Sequence, residues 1–262
     1  MFAARPKTII TTFFLSVLLF IACTKNSDSG VTAAPVDQVS LVLNLPASPF
    51  NYANPTLPAY ITAPPIQAQV NTPANNQITD NGATLGRVLF YDKNLSINNS
   101  ISCASCHKQA NAFSDTDVKS RGFNGGLTGR HSMPLTNAKY YPNGRFFWDQ
   151  RAASLEEQVL APIQDLVEMG MTLPQLETKL RNLPYYSSLF TKAFGDATIN
   201  SNRISLALSQ FVRSIVSFQS KYDVGRATFP VNPAPPANAV FPNFTVAENR
   251  GKEIFLSPQN AC

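Results

Sequence analysis

The strongest periodicity lies in "NRISLALSQFVRSIVSFQSKYD" (202–223). There Ile204, Leu208, Phe211, Val212, Ile215 and Phe218 recur at three- and four-residue spacing along one stripe. The pattern predicts a long amphipathic helix with Asn202 as its cap. Upstream, "NGATLGRVLFYD" puts Leu85, Val88 and Leu89 on one helical face, and "SLEEQVLAPI" opens with Ser154 and Glu157 in capping-box spacing. "LPQLETKLRNL" and "YYSSLFTKAF" read as shorter amphipathic helices, and "TVAENRGKEIF" opens one more. No segment alternates strongly enough to predict a strand, so the expected fold class is all-α. A glycine-rich loop, "SDTDVKSRGFNGGLTGRHSMPLTN", separates the first helix from the rest.

The ends differ from the middle. In "MFAARPKTIITTFFLSVLLFIAC" a basic start at Arg5 and Lys7 precedes an apolar run too short for a comfortable membrane span. Small Ala22 directly before Cys23 resembles a bacterial lipoprotein signal, which predicts removal of residues 1–22 and lipidation of Cys23. A plain cleaved signal or an uncleaved anchor are the alternatives, and all three export the remainder to the periplasm. Residues 23–75 are polar and then proline-studded, as expected of a tether and extended arm. Residues 76–229 hold the helical patterns of one domain. Residues 230–243, within "FPVNPAPPANAVFP", read as a linker, and 244–262 as the start of a second domain. The formal charge of +5 falls to +3 without Arg5 and Lys7, too small and scattered to indicate nucleic acid. Membrane contact is expected only through the lipid.

The four cysteines give no disulfide framework: Cys23 is assigned to lipid, Cys103 and Cys106 form a tight pair, and Cys262 ends the chain. "SCASCHKQ" carries Cys103, Cys106 and His107 in the C-x-x-C-H spacing of c-type haem attachment. One helical turn presents both thiols to the two vinyl groups, and the adjoining imidazole reaches the iron as an axial ligand. A thioredoxin-like pair would want a βαβ context, which the pattern lacks. Zinc would need further ligands, and His131 is the only other histidine.

From about Leu85 to Asp223 the chain resembles the bacterial di-haem cytochrome c peroxidase and MauG-type family. The likeness rests on "ISCASCHKQANAFSD" and on "GRHSMPLTNAKYYPNGRFFWDQRAASLEEQVLAPIQDLVEMG". It implies a cytochrome c-like haem domain with a second such domain following, and a haem c in each. The first haem would react with peroxide and the second would collect electrons. By position, Trp148 matches the aromatic residue between the two haems, and Gln158, Pro162 and Glu168 match the pocket over the first. Heterolysis of peroxide needs a group that moves a proton between the two oxygens, a task for Glu168 if partly desolvated. Gln158 can orient peroxide by hydrogen bonding. Without the resemblance, Trp148 reads as core, Glu168 as a surface carboxylate, and Glu156 and Glu157 as a solvated or capping pair.

The resemblance further implies hydrogen peroxide as substrate and a small periplasmic donor such as a cytochrome c or cupredoxin, and it is compatible with a homodimer. A MauG-type oxidation of a partner protein is the alternative, and a plain electron-transfer cytochrome the third reading. "RGKEIFLSPQNAC" resembles the lead-in to a second haem motif, which makes Cys262 a candidate thioether cysteine. His131 stands where many members have an asparagine that helps bind calcium. An imidazole supplies no oxygen, so calcium is expected only if a carbonyl or water substitutes. His131 is also a candidate axial ligand, against the reading of a histidine hydrogen-bonded within its loop. No histidine lies between His107 and His131, so the first haem is expected to be five-coordinate at rest. An EPR or resonance-Raman spectrum of the oxidised protein should show that state, and a bis-histidine first haem would overturn it.

Overall fold

The computed structural model describes Val39 and residues 42–260. Cys23 with its leader and Cys262 lie outside the described residues. The described part is helical, with ten helices: α1 Ala59–Thr62, α2 Asp80–Tyr91, α3 Cys103–Cys106, α4 Leu155–Gln158, α5 Ala161–Gln164, α6 Leu173–Arg181, α7 Pro184–Phe194, α8 Ser201–Ser214, α9 Lys221–Arg226 and α10 Val246–Leu256. Among the described residues only three isolated bridges, Lys108 with Ser114, Arg121 with Leu127 and Phe146 with Ala152, have β geometry. The all-α expectation holds. No helix among them is long and apolar enough to cross a membrane.

Helices α2 and α8 form the central pair. Gly82 and Gly86, four residues apart, lie on the contact face, where a Cβ on Gly86 would fall 2.0 Å from the Ala207 carbonyl oxygen. The two backbones meet at Gly86 because its side chain is absent, while the space over Gly82 is filled by the Gln210 side chain. Leu85, Leu89 and Phe90 from α2 then bury against Leu208, Phe211 and Val212 from α8, with the Phe90 and Phe211 rings 5.2 Å apart. Each such side chain contributes about 1.5–3 kcal/mol of burial. Helix α7 covers one side with Tyr186 and Phe190, both fully buried.

Two predicted helices break earlier than their patterns suggest. Helix α8 is capped by Asn200, whose side chain accepts from the Arg203 N–H at 2.9 Å, rather than by Asn202, which is exposed. It ends at Ser214, and Ser220 starts the separate α9 with its own capping box. Ile215 and Phe218 therefore leave the stripe, only half-buried. "SLEEQVLAPI" splits into α4 and α5. Pro162 has no N–H to continue the ladder and sits instead in the first turn of α5. Ser154 caps as expected, accepting from Glu157 N–H, while the Glu157 carboxylate reaches back to Ala153 N–H at 2.9 Å.

Glu156 departs from the solvated pair expected of it. Arg213, with a side chain only 2% exposed, meets its carboxylate with two nitrogens, at 2.5 and 3.0 Å. Asn76 donates to the same carboxylate at 2.6 Å, Gln210 donates to Asn76 at 2.9 Å, and Arg213 Nε donates to Asn71 at 3.0 Å. This network ties α4 and the 71–79 segment to α8. The arm before α2 also rests on the domain: Asp80 accepts from the N–H groups of Tyr52 and Ala53, both at 2.8 Å. At the other end Phe241 is buried, flanked by Phe229 and Phe244, and Lys252 of α10 lies 4.8 Å from its ring centroid.

Burial alone would raise the Glu156 pKa, but hydrogen bonds from Arg213 and Asn76 and the guanidinium charge hold it below its ordinary value of 4.5. Its contribution is therefore present above that value and disappears as pH falls through the lowered folded one. Arg213→Met, which strands the carboxylate, should cost about 3–5 kcal/mol in urea unfolding. Because the stranded charge is the source of the loss, the double variant with Glu156→Gln should recover part of it. Wild-type stability should also decline on acidification more steeply than that of the double variant.

Candidate active site

The attachment motif is built from one turn of helix. Ser102 and Ser105 form a capping box at the start of α3, with Ser102 N–H donating to Ser105 Oγ at 3.0 Å. The turn closes when His107 N–H donates to the Cys103 carbonyl at 2.9 Å. Cys103 and Cys106 are unbridged thiols. Burial, with Cys106 alongside, pushes Cys103 up to about 12, so it is a neutral thiol rather than a thiolate. No three His, Cys, Asp or Glu side chains converge to hold a bare metal ion among the described residues.

His107 is pre-aimed. Its Nδ1 lies 2.9 Å from the Phe113 carbonyl; a carbonyl only accepts, so Nδ1 carries the proton and Nε2 keeps its lone pair. Ala112 and Phe113 reach that arrangement with φ of +55° and +59°, a left-handed pair that turns the carbonyl towards the ring. Burial lowers the His107 pKa, favouring the neutral imidazole that a metal requires. These groups open on a cavity of about 860 Å³, within the ~300–1,000 Å³ range of ligand sites. Phe90, Leu155, Val159, Met169, Leu208 and Val212 supply apolar wall. Two thiols one turn apart, a fixed imidazole and an apolar chamber fit a covalently attached haem.

The cavity brings together every described residue that the sequence nominated: Gln158, Pro162, Glu168, His131 and Trp148 all line it. Neither Gln158 nor Glu168 finds a side-chain hydrogen-bond partner among the described residues. Glu168 is held by its backbone instead, with N–H donating to Asp165 Oδ1 at 3.0 Å and carbonyl accepting from Phe123 N–H at 2.9 Å. Gly122 makes that approach feasible, since a Cβ there would lie 1.6 Å from the Val167 carbonyl oxygen. Burial raises the Glu168 pKa above the ordinary 4.5, Asp165 adds to the rise, and Arg151 opposes it.

Trp148 is not core. It is 57% exposed at the tip of a turn closed by paired hydrogen bonds between Phe146 and Ala152, at 3.0 and 3.3 Å. Phe147 and Gln150 adopt φ of +71° and +56° in that turn, and the Arg151 guanidinium stacks 3.5 Å over the Phe147 ring. Sequence reasoning missed the Phe113 carbonyl, which any residue could offer, and the Gly122 contact, whose only trace was the "RGFNGG" run. It also missed Asp115, a buried carboxylate that accepts from Lys108 and Ser120, both at 2.6 Å.

The family model for di-haem cytochrome c peroxidase matches residues 80–227, more than half of the chain. The methylamine utilization protein MauG of Methylophilus methylotrophus is 34% identical over 154 residues, covering 59% of this chain and 45% of that protein. The cytochrome c551 peroxidase of Pseudomonas aeruginosa is 33% identical over 162 residues, covering 61% and 46% respectively. Among solved structures, a MauG-like protein associated with microbial copper homeostasis aligns with TM-score 0.58 and 33% identity, over 65% of this chain and 49% of the other. The chain spans about half the length of the curated relatives it matches.

The signs of the Glu168 perturbation can be read directly. A carbon-13 NMR titration of its carboxyl should give a midpoint above 4.5. Asp165→Asn should lower that midpoint and Arg151→Ala should raise it.

Proposed function

We infer the reaction from a plain premise: the chain belongs to the di-haem cytochrome c peroxidase family. On that premise, hydrogen peroxide is reduced to water in the cavity behind Cys103, Cys106 and His107. The observation that carries this reading is that Gln158 and Glu168, neither with a side-chain hydrogen bond among the described residues, line the same chamber as the attachment motif. A pure electron carrier would fill its chamber with a second axial ligand and would leave no polar pair without partners.

Cys103 and Cys106 would hold the haem through thioethers, and His107 Nε2 would be its axial ligand. When bound, the haem supplies the iron that exchanges electrons with peroxide. The rest falls to side chains. The Gln158 amide orients the peroxide by hydrogen bonding. The Glu168 carboxylate takes the proton from one peroxide oxygen and delivers it to the other, so that the second leaves as water. Each H2O2 consumes two electrons and two protons and gives two waters. The electrons come from a small periplasmic donor such as a cytochrome c or cupredoxin, with Trp148 as the relay out of the cavity. Exposed Trp148 also favours a second reading, oxidation of residues on a partner protein through the same cavity. The basic, apolar leader ending at Cys23 supports a periplasmic, lipid-anchored location.

The test is peroxide turnover by the full-length protein carrying both haems, with a reduced small cytochrome as donor. Wild type should turn over, with a rate that falls on acidification as Glu168 protonates at its raised pKa. Glu168→Gln should lose about 10²–10⁴-fold and lack that acidic limb. Unchanged turnover in Glu168→Gln would remove the carboxylate from the mechanism. No turnover in wild type, with a six-coordinate haem, would establish a carrier.

A further inference from the structure

We propose that His131 is a positioning residue, a strut that fixes the Trp148 indole at the cavity mouth. Its ring Nε2 lies 3.1 Å from the Asp115 backbone carbonyl, while its own carbonyl accepts from the Trp148 indole N–H at 2.9 Å. A carbonyl only accepts, so Nε2 carries the proton in that contact and is committed to the Asp115 carbonyl. One residue thus joins the loop that follows the attachment motif to the turn that carries the tryptophan.

The anchor end is firm. Asp115 is buried, and its carboxylate accepts from Lys108, from Ser120 and from the Thr116 N–H at 2.6, 2.6 and 2.7 Å. Lys108 directly follows His107, so the strut starts beside the proximal ligand. Ser120 and Ser132 hydroxyls, 2.8 Å apart, and Ser114 donating to the Ser132 carbonyl at 2.7 Å fasten the residue after His131. The far end is held by exposed contacts: Arg145 Nε donates to the Gln150 carbonyl at 3.0 Å, and the Gln150 amide donates to the Tyr141 hydroxyl at 3.0 Å and accepts from Asn143 at 2.6 Å. Asp149 pairs with Arg130 and Arg151, both at 2.9 Å, but all three are exposed, and such pairs contribute about 0–1 kcal/mol. The hairpin base fixes where the turn begins, and the indole hydrogen bond fixes where the ring points.

The role in turnover rests on the peroxide reading above; the strut itself does not. The chain has one tryptophan, so the N–H-sensitive indole mode in ultraviolet resonance Raman comes from Trp148 alone. In haem-loaded protein, His131→Ala should shift that mode towards a weaker hydrogen bond. His131→Gln, whose amide can donate to the Asp115 carbonyl, should restore it. The haem EPR and visible spectra should stay unchanged in both, and peroxide turnover should fall about 10–100-fold in the alanine variant and return in the glutamine one. An unmoved indole mode in His131→Ala overturns the proposal, as does a change of haem spin state. If no protein turns over but the indole mode shifts and recovers, the strut stands and the peroxide reading fails.

Discussion

The pair of buried Arg213 and half-buried Glu156 is the constraint on which the site depends. Helix α4 is a single turn, too short to hold itself in water, because nucleating a turn costs more than one hydrogen bond returns. Yet it carries Gln158. A bidentate contact to α8, braced by Asn76 and Gln210, fixes the turn in place. The carboxylate two residues before the amide therefore does structural work, and the amide stays unpaired. Had the roles been exchanged, the cavity would hold a satisfied ion pair and the fold would lack its tie between α4 and α8.

Much of the fold was legible from periodicity. The α2 and α8 patterns, the capped start at Ser154 and the all-α class follow from apolar spacing and cap chemistry. The failures are equally physical. The stripe through Ile215 and Phe218 continued past Ser214, but the Ser220 and Asp223 capping box claims the following residues for a new helix. Glu156 looked solvated because its partner lies 57 residues away, a separation no local pattern registers. The attachment motif was readable because its chemistry demands fixed spacing. Asp115, Gly122 and the Phe113 carbonyl act through the path of a loop, which only the folded backbone defines.

The site is divided between two kinds of scaffold. Gln158 and Pro162 sit on helices locked to the core, whereas His107, His131, Trp148 and Glu168 are placed by loops. The loop residues are held by backbone strain and carbonyl contacts: a left-handed pair behind His107, left-handed positions flanking Trp148, and a glycine contact beneath Glu168. Side-chain identity matters less at those positions than the route of the chain.

The close approach at Gly86 has a further consequence. Phe90 at the end of α2, and Leu208 and Val212 on α8, form part of the chamber wall. The distance between those helices therefore helps set how wide the chamber is. One hydrogen atom at Gly86, standing where a methyl group could be, acts as a gauge for a space that the glycine does not line. A drift to alanine at Gly86 would change the dimensions of the chamber while leaving every chemical group in it intact.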